Sequence, residues 1–178
     1  MFDAATALVV IDVQSGMFGA EHGPPIHAGE ALLASIATLL ARARAAGSPV
    51  IYVRHDGGKG DMLEYGAPAW EIHAAIAPRP GERIVDKRTP DSFHETTLAA
   101  ELAAAGAARL VLCGAQTEYC VDTTCRRAAA LGYPAVLVAD AHSTWDNGVL
   151  TATQIIAHTN RTLAGGFVRL AHAEEGRA

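Results

Sequence analysis

The sequence is short of the features that would tie it to a polyanion, a membrane or an oxidising compartment. Its 14 lysines and arginines are outnumbered by 19 aspartates and glutamates, for a formal charge of −5, and the arginines are scattered rather than clustered. A nucleic-acid partner needs a basic footprint for the phosphates, so none is expected. The opening MFDAATALVVID has no positively charged leader, and its apolar run stops at Asp12. Neither a signal peptide nor a membrane span is expected, which assigns the protein to the cytoplasm. The three cysteines cannot all pair within one chain, and a cytosolic compartment keeps thiols reduced. No Cys-x-x-Cys pair is present, which disfavours thiol–disulfide redox chemistry. Internal repeats, low-complexity tracts and interdomain linkers are also missing.

What is present is a chain of 178 residues with 50% hydrophobic content, the size and apolarity of one compact domain spanning residues 1–178. Short β-branched runs alternate with longer alanine-rich stretches, the pattern of a parallel α/β sheet. The runs are Ala7–Val13, Val50–Arg54, Arg83–Asp86, Leu110–Cys113, Ala135–Ala139 and Phe167–Leu170. They are nearly continuously apolar, as strands covered by helices on both faces are. Between the first two, Leu32, Leu33, Ile36, Leu39, Leu40 and Ala43 recur at helical spacing up to Gly47-Ser48-Pro49. Further helices are expected over Thr96–Ala105, Tyr119–Leu131 and Leu150–Leu163, each followed by glycine. The segment Gly57–Pro80, rich in glycine and proline, breaks the alternation and reads as a long loop, serving as a lid, a binding loop or a subunit contact.

In open parallel sheets ligands bind beyond the carboxyl ends of the strands. Asp12 ends the first run, His55 and Asp56 the second, Asp86 and Lys87 the third, and Asp140 and His142 the fifth. After the fourth comes Gly114-Ala115-Gln116-Thr117-Glu118-Tyr119-Cys120-Val121. With Thr117 as N-cap, Cys120 falls in the first helical turn, where unpaired N–H groups favour negative charge. Making thiolate the majority form at neutral pH requires a shift of about two units, or roughly 2.7 kcal/mol. A helix terminus supplies only ~0.3–1 kcal/mol, so a second cation is needed. Lys87 can supply it, while Asp12 can take the thiol proton. Cys113, within an apolar strand, reads as inert core, and Cys125 lies too far round the helix to be a resolving partner.

Three segments, Ala7-Leu8-Val9-Val10-Ile11-Asp12-Val13-Gln14, Lys87 followed by Ser92-Phe93, and Gly114 to Val121, resemble the signature segments of the isochorismatase-like cysteine hydrolases. The resemblance spans nearly the whole chain. It implies a Rossmann-like three-layer α/β/α fold with a central six-stranded parallel sheet, and a catalytic triad of Asp12, Lys87 and Cys120. It also implies a cis peptide at Ala115–Gln116, an oxyanion hole formed by the backbone N–H groups of Gln116 and Cys120, and a homo-oligomer, a dimer or tetramer.

The nicotinamidase branch of that superfamily binds a metal through an Asp-x-His cluster after the second strand. Here the region reads Tyr52-Val53-Arg54-His55-Asp56-Gly57-Gly58, so no metal and no cofactor are expected. The branch that hydrolyses isochorismate uses a vinyl-ether mechanism and typically lacks the cysteine, so Cys120 favours an amide, ureide or related acyl substrate. Asp140-Ala141-His142-Ser143 and Ile155 to Arg161 look like the streptothricin-hydrolase-like subgroup. Phe18, His55, Trp70, Tyr119 and Trp145 are candidate walls of a small-molecule pocket. Two alternatives stand beside the amide reading: a non-catalytic small-molecule binder on the same fold, and a vinyl-ether hydrolase.

Overall fold

The computed structural model describes residues 1–175. A six-stranded, wholly parallel sheet holds β1 (Thr6–Ile11), β2 (Val50–His55), β3 (Arg83–Lys87), β4 (Arg109–Ala115), β5 (Ala135–Ser143) and β6 (Arg169–Ala171) in the order β3-β2-β1-β4-β5-β6. The chain winds outward from β1 to β3, then returns to lay β4 against the other side of β1. This reversal makes the carboxyl ends of β1 and β4 the switch point of a doubly wound sheet, where the strand-end crevice opens.

Four α-helices cover the sheet: α1 (Gly29–Ala45), α2 (Leu98–Ala104), α3 (Asp122–Ala130) and α4 (Ala152–Leu163). The residues of β1 explain why the strand is apolar from Ala7 to Ile11. Leu8 and Val10 pack into the cluster that holds Leu32, Ile36, Leu39 and Leu40 of α1. Ala7, Val9 and Ile11 point the other way, into the cluster of Leu98 and Leu102 from α2 and Cys125 and Ala128 from α3. Successive strand side chains face opposite sides, so a strand sandwiched between helix layers must be apolar at every position. Burying each of these leucines or isoleucines contributes about 1.5–3 kcal/mol relative to exposure.

Some details depart from the sequence expectations. The sixth strand is shorter and begins later, at Arg169, because Phe167 and Val168 are occupied closing the end of α4 through hydrogen bonds to the Leu163 carbonyl. The start of α4 is fixed by a capping box that the apolar pattern does not reveal: Thr151 accepts from the Gln154 backbone N–H, and the Gln154 side chain accepts from the Thr151 N–H. The fifth strand runs on to Ser143, with a register shift against β4 between Leu112 and Gly114. The Gly57–Pro80 segment is irregular, relieved by short 3-10 turns at Pro68–Trp70 and Ala74–Ile76.

Gly114 is required at the switch point. Its φ of +128° is a conformation that side chains rarely adopt, and a Cβ there would run into the backbone of Ile11. The absence of that Cβ lets the end of β4 close against the end of β1. One residue further on, the Ala115–Gln116 peptide is cis.

Candidate active site

The ends of β1, β2 and β3 and the turn after β4 each deliver a side chain to one cluster. Asp12 follows β1 directly and adopts φ 51°, a left-handed conformation that aspartate tolerates better than most residues. Lys87 is the last residue of β3 and is buried. Cys120 comes from a single π-helical turn, Thr117–Val121, which links β4 to α3. The Lys87 ammonium lies 2.6 Å from Asp12 Oδ2 and donates to Cys120 Sγ at 3.1 Å and to the Thr89 carbonyl at 3.1 Å. His55 Nδ1 sits 3.4 Å from the same Nζ. One cation thus joins a carboxylate, a thiol and an imidazole.

The electrostatics differ from the expectation of a resting thiolate. Burial and the neighbouring Asp12 carboxylate push the Cys120 thiol up to about 12, outweighing the opposing pull of Lys87. Burial also raises Asp12, against the influence of Lys87. Burial alone would lower Lys87, but contacts with Asp12 and Cys120 reverse this and hold it charged. Burial and the adjacent Lys87 lower His55, which keeps the imidazole neutral. The resting arrangement is therefore a protonated thiol beside a carboxylate of raised proton affinity. Such a carboxylate is suited to take the thiol proton as attack occurs, rather than beforehand.

A cavity of about 390 Å³ opens onto this cluster, lined by Asp12, His55, Gln116, Tyr119 and Cys120 together with Met17, Asp61, Met62, Leu63, Arg88 and Pro90. Of the aromatic and histidine candidates, His55 and Tyr119 reach it. Phe18, Trp70 and Trp145 do not. Phe18 packs on His73, with ring centroids 4.7 Å apart. Trp70 is buried with the Arg54 guanidinium 3.6 Å from its ring centroid. Trp145 turns its indole N–H to the Pro24 carbonyl at 2.7 Å. The loop supplies Asp61, Met62 and Leu63 in their place, a contribution that a search for aromatics passes over.

Two supports were also hidden in the sequence. Gln14 is fully buried and clamps the end of β2: its amide donates to the carbonyls of His55 and Trp70, and its oxygen accepts the His55 N–H. Thr117 does not act as N-cap, a position held by Gln116 with no side-chain cap. Instead Thr117 is buried with its hydroxyl 2.9 Å from His142 Nδ1, while His142 Nε2 lies 2.9 Å from Asn160 Oδ1. The Asn160 amide nitrogen donates to the Ala139 carbonyl, so its oxygen must accept from His142 Nε2–H. Nδ1 is then the acceptor for Thr117. Burial lowers His142, and this neutral tautomer ties the cysteine turn to β5 and α4.

Among the described residues, no group of three or more histidine, cysteine, aspartate or glutamate side chains is placed to hold a metal ion, and no helix is long and apolar enough to cross a membrane.

Fold and site together define a doubly wound α/β protein with a buried cysteine–carboxylate–lysine cluster at its switch point. The isochorismatase domain model matches residues 6–163. A streptothricin hydrolase of Streptomyces noursei is 41% identical over 140 residues, covering 79% of this chain and 50% of that protein. The chain thus spans about half the length of the streptothricin hydrolases it matches. A ureidoacrylate amidohydrolase of Variovorax paradoxus is 29% identical over 170 residues, 76% of this chain and 68% of that protein. The crystal structure of a cysteine hydrolase from Pseudomonas syringae pv. phaseolicola aligns with a TM-score of 0.85 at 26% identity, covering 97% of this chain and 90% of that one. The chain belongs to the isochorismatase family.

Proposed function

We propose that the protein is a metal-independent cysteine hydrolase that cleaves a small amide, ureide or related C–N bond through a thioester on Cys120. The observation that carries this reading is the buried Lys87 ammonium held between Asp12, at 2.6 Å, and Cys120, at 3.1 Å, two residues that line a cavity. Similarity to a streptothricin hydrolase and to a ureidoacrylate amidohydrolase supports the same class of bond.

In this mechanism the Cys120 thiol passes its proton to Asp12 as sulfur bonds to the substrate carbonyl carbon. The oxyanion is received by the backbone N–H groups of Gln116 and Cys120. Asp12 then returns the proton to the departing nitrogen as the C–N bond breaks, leaving a thioester. Water enters, gives a proton to Asp12 and attacks the thioester carbonyl, and the sulfur leaves to recover its proton. Lys87 stays charged throughout, holding both groups and easing the build-up of negative charge on sulfur. A protonated resting thiol fits this scheme, because the nucleophile is generated only against a bound carbonyl.

The vinyl-ether alternative gives Cys120 no covalent role, and a non-catalytic binder leaves the triad idle. Ammonia release from a panel of small amides, ureides and carbamoyl compounds separates the amide reading from both. Turnover by the wild type that is lost in Cys120→Ser supports the thioester route. Turnover retained in Cys120→Ser overturns it. We further propose a cytoplasmic, homo-oligomeric protein, a dimer or tetramer. The compartment accords with three free cysteines, Cys113, Cys120 and Cys125, and sedimentation velocity reads the oligomeric state directly.

A further inference from the structure

The cavity above Cys120 has an unbalanced charge. Asp12 is neutralised by Lys87. Arg88 reaches the cavity, but its Nε is 3.0 Å from Asp56 Oδ2. Asp56 is buried and is fixed in turn by the N–H groups of Gly58 and Tyr65. His55 is kept neutral by burial and by Lys87. The remaining charge is Asp61, which lines the cavity and has no ion-pair partner among the described residues.

Asp61 is also held in place. Its Oδ1 accepts the Leu63 N–H at 2.8 Å, and its own N–H donates to the Gly58 carbonyl at 3.2 Å. The carboxylate lies directly over Gly57, where any Cβ would collide with it. The glycine therefore leaves the room that lets the Asp61 carboxylate fold back over the loop at the exposed edge of the cavity. A loop carboxylate with one oxygen anchored to the backbone presents the other without much further ordering, which reduces the entropic cost of binding a cation.

We propose that Asp61 is a specificity-determining residue that selects substrates carrying a protonated amine near the scissile carbonyl. This rests on the hydrolase reading of the same site. The substrate class is a cationic amide: the carbonyl sits at Cys120, the ammonium pairs with Asp61, and Met17, Met62 and Leu63 cover the carbons between them. The net charge of −5 adds a weak long-range attraction for the same cations. Because Asp61 is exposed, its preference is expected to weaken as salt rises.

Three small primary amides of similar length test this: β-alaninamide, which is cationic, its neutral N-acetyl derivative, and anionic succinamate. Each is assayed for protection of Cys120 from iodoacetamide, read by peptide mass spectrometry, and separately for ammonia release. The expected result is that β-alaninamide protects at a concentration about tenfold lower than the neutral probe, a difference of about 1.4 kcal/mol, with succinamate weakest. The advantage should shrink toward one at high salt and in Asp61→Asn. Equal protection by all three, protection by none, a preference for succinamate led by Arg88, or selectivity that survives Asp61→Asn overturns the proposal. Ammonia release decides the hydrolase reading independently, since occupancy of the cavity does not require turnover.

Discussion

At the scale of single residues, the relation between Asp12, Lys87 and Cys120 makes opposite demands on two substitutions. The Asp12 carboxylate helps to hold the thiol at about 12, so Asp12→Asn removes a charge that opposes the thiolate while Lys87 continues to favour it. Each unit by which the thiol falls multiplies the thiolate fraction about tenfold in this range. Alkylation of Cys120 by iodoacetamide at neutral pH is therefore expected to speed up by at least about tenfold in Asp12→Asn. Ammonia release in the same variant should fall by about 10²–10⁴-fold, the usual contribution of a general acid–base. Lys87→Met removes the cation, so alkylation should slow and activity fall together. Reactivity and activity that drop in parallel in Asp12→Asn would contradict the role given to that carboxylate.

The same residues show what sequence can and cannot disclose. Asp12, Lys87 and Cys120 were candidates because chemistry-bearing side chains at or just after strand ends stand out against apolar strands, and it was the likeness of three segments to a known family that singled them out from the other strand-end residues. The direction of the thiol shift was not, since it depends on how deeply the turn is buried and on Asp12 lying beside the sulfur. Phe18, Trp70 and Trp145 drew attention as large aromatics, yet each is claimed by local packing. Asp61 passed unnoticed because its position depends on a backbone turn over Gly57.

At the scale of elements, the switch point depends on a tight approach of β4 to β1 and on the strut that holds the cysteine turn. Gly114→Ala places a Cβ against the Ile11 backbone and forces φ +128° on a residue with a side chain. A loss of about 1–3 kcal/mol or more is expected in urea unfolding, with diminished activity. Strand and helix order was readable from the alternation of β-branched and alanine-rich runs. The Thr117–His142–Asn160 strut was not, because it joins residues remote in sequence through buried polar atoms.

The strut also has a pH signature. Burial lowers His142 from its usual 6.5, so the folded state binds this proton less readily than the unfolded chain. The neutral histidine therefore costs nothing above about pH 6.5, and stability is lost progressively as pH falls below that value. Between pH 7 and pH 5, wild-type stability should drop by more than that of His142→Gln, with the difference isolating this one group from the carboxylates. Equal slopes would show that His142 does not titrate differently on unfolding.

At the scale of the whole molecule, the sheet order β3-β2-β1-β4-β5-β6 gathers residues from three strand ends and one turn into a single crevice. The remaining thiols are left in the interior: Cys113 and Cys125 are fully buried, whereas Cys120 is in part accessible. Native protein should accordingly take up one equivalent of a thiol reagent, at Cys120 and slowly because burial and Asp12 hold the thiol protonated, and the two others only on denaturation. The wound α/β architecture could be read from periodicity because it rests on many apolar residues acting alike. The exact reach of the cavity could not, because it is set by how one irregular loop folds across the strand ends.

The central claim is that Cys120 carries the acyl group. Rapid quenching of the enzyme during turnover of an amide it hydrolyses, followed by intact-mass and peptide mass spectrometry, tests this most directly. An adduct with the mass of the acyl fragment is expected on Cys120, released by hydroxylamine and absent in Cys120→Ser. Steady turnover by Cys120→Ser, or an adduct on any other residue in its place, would contradict it.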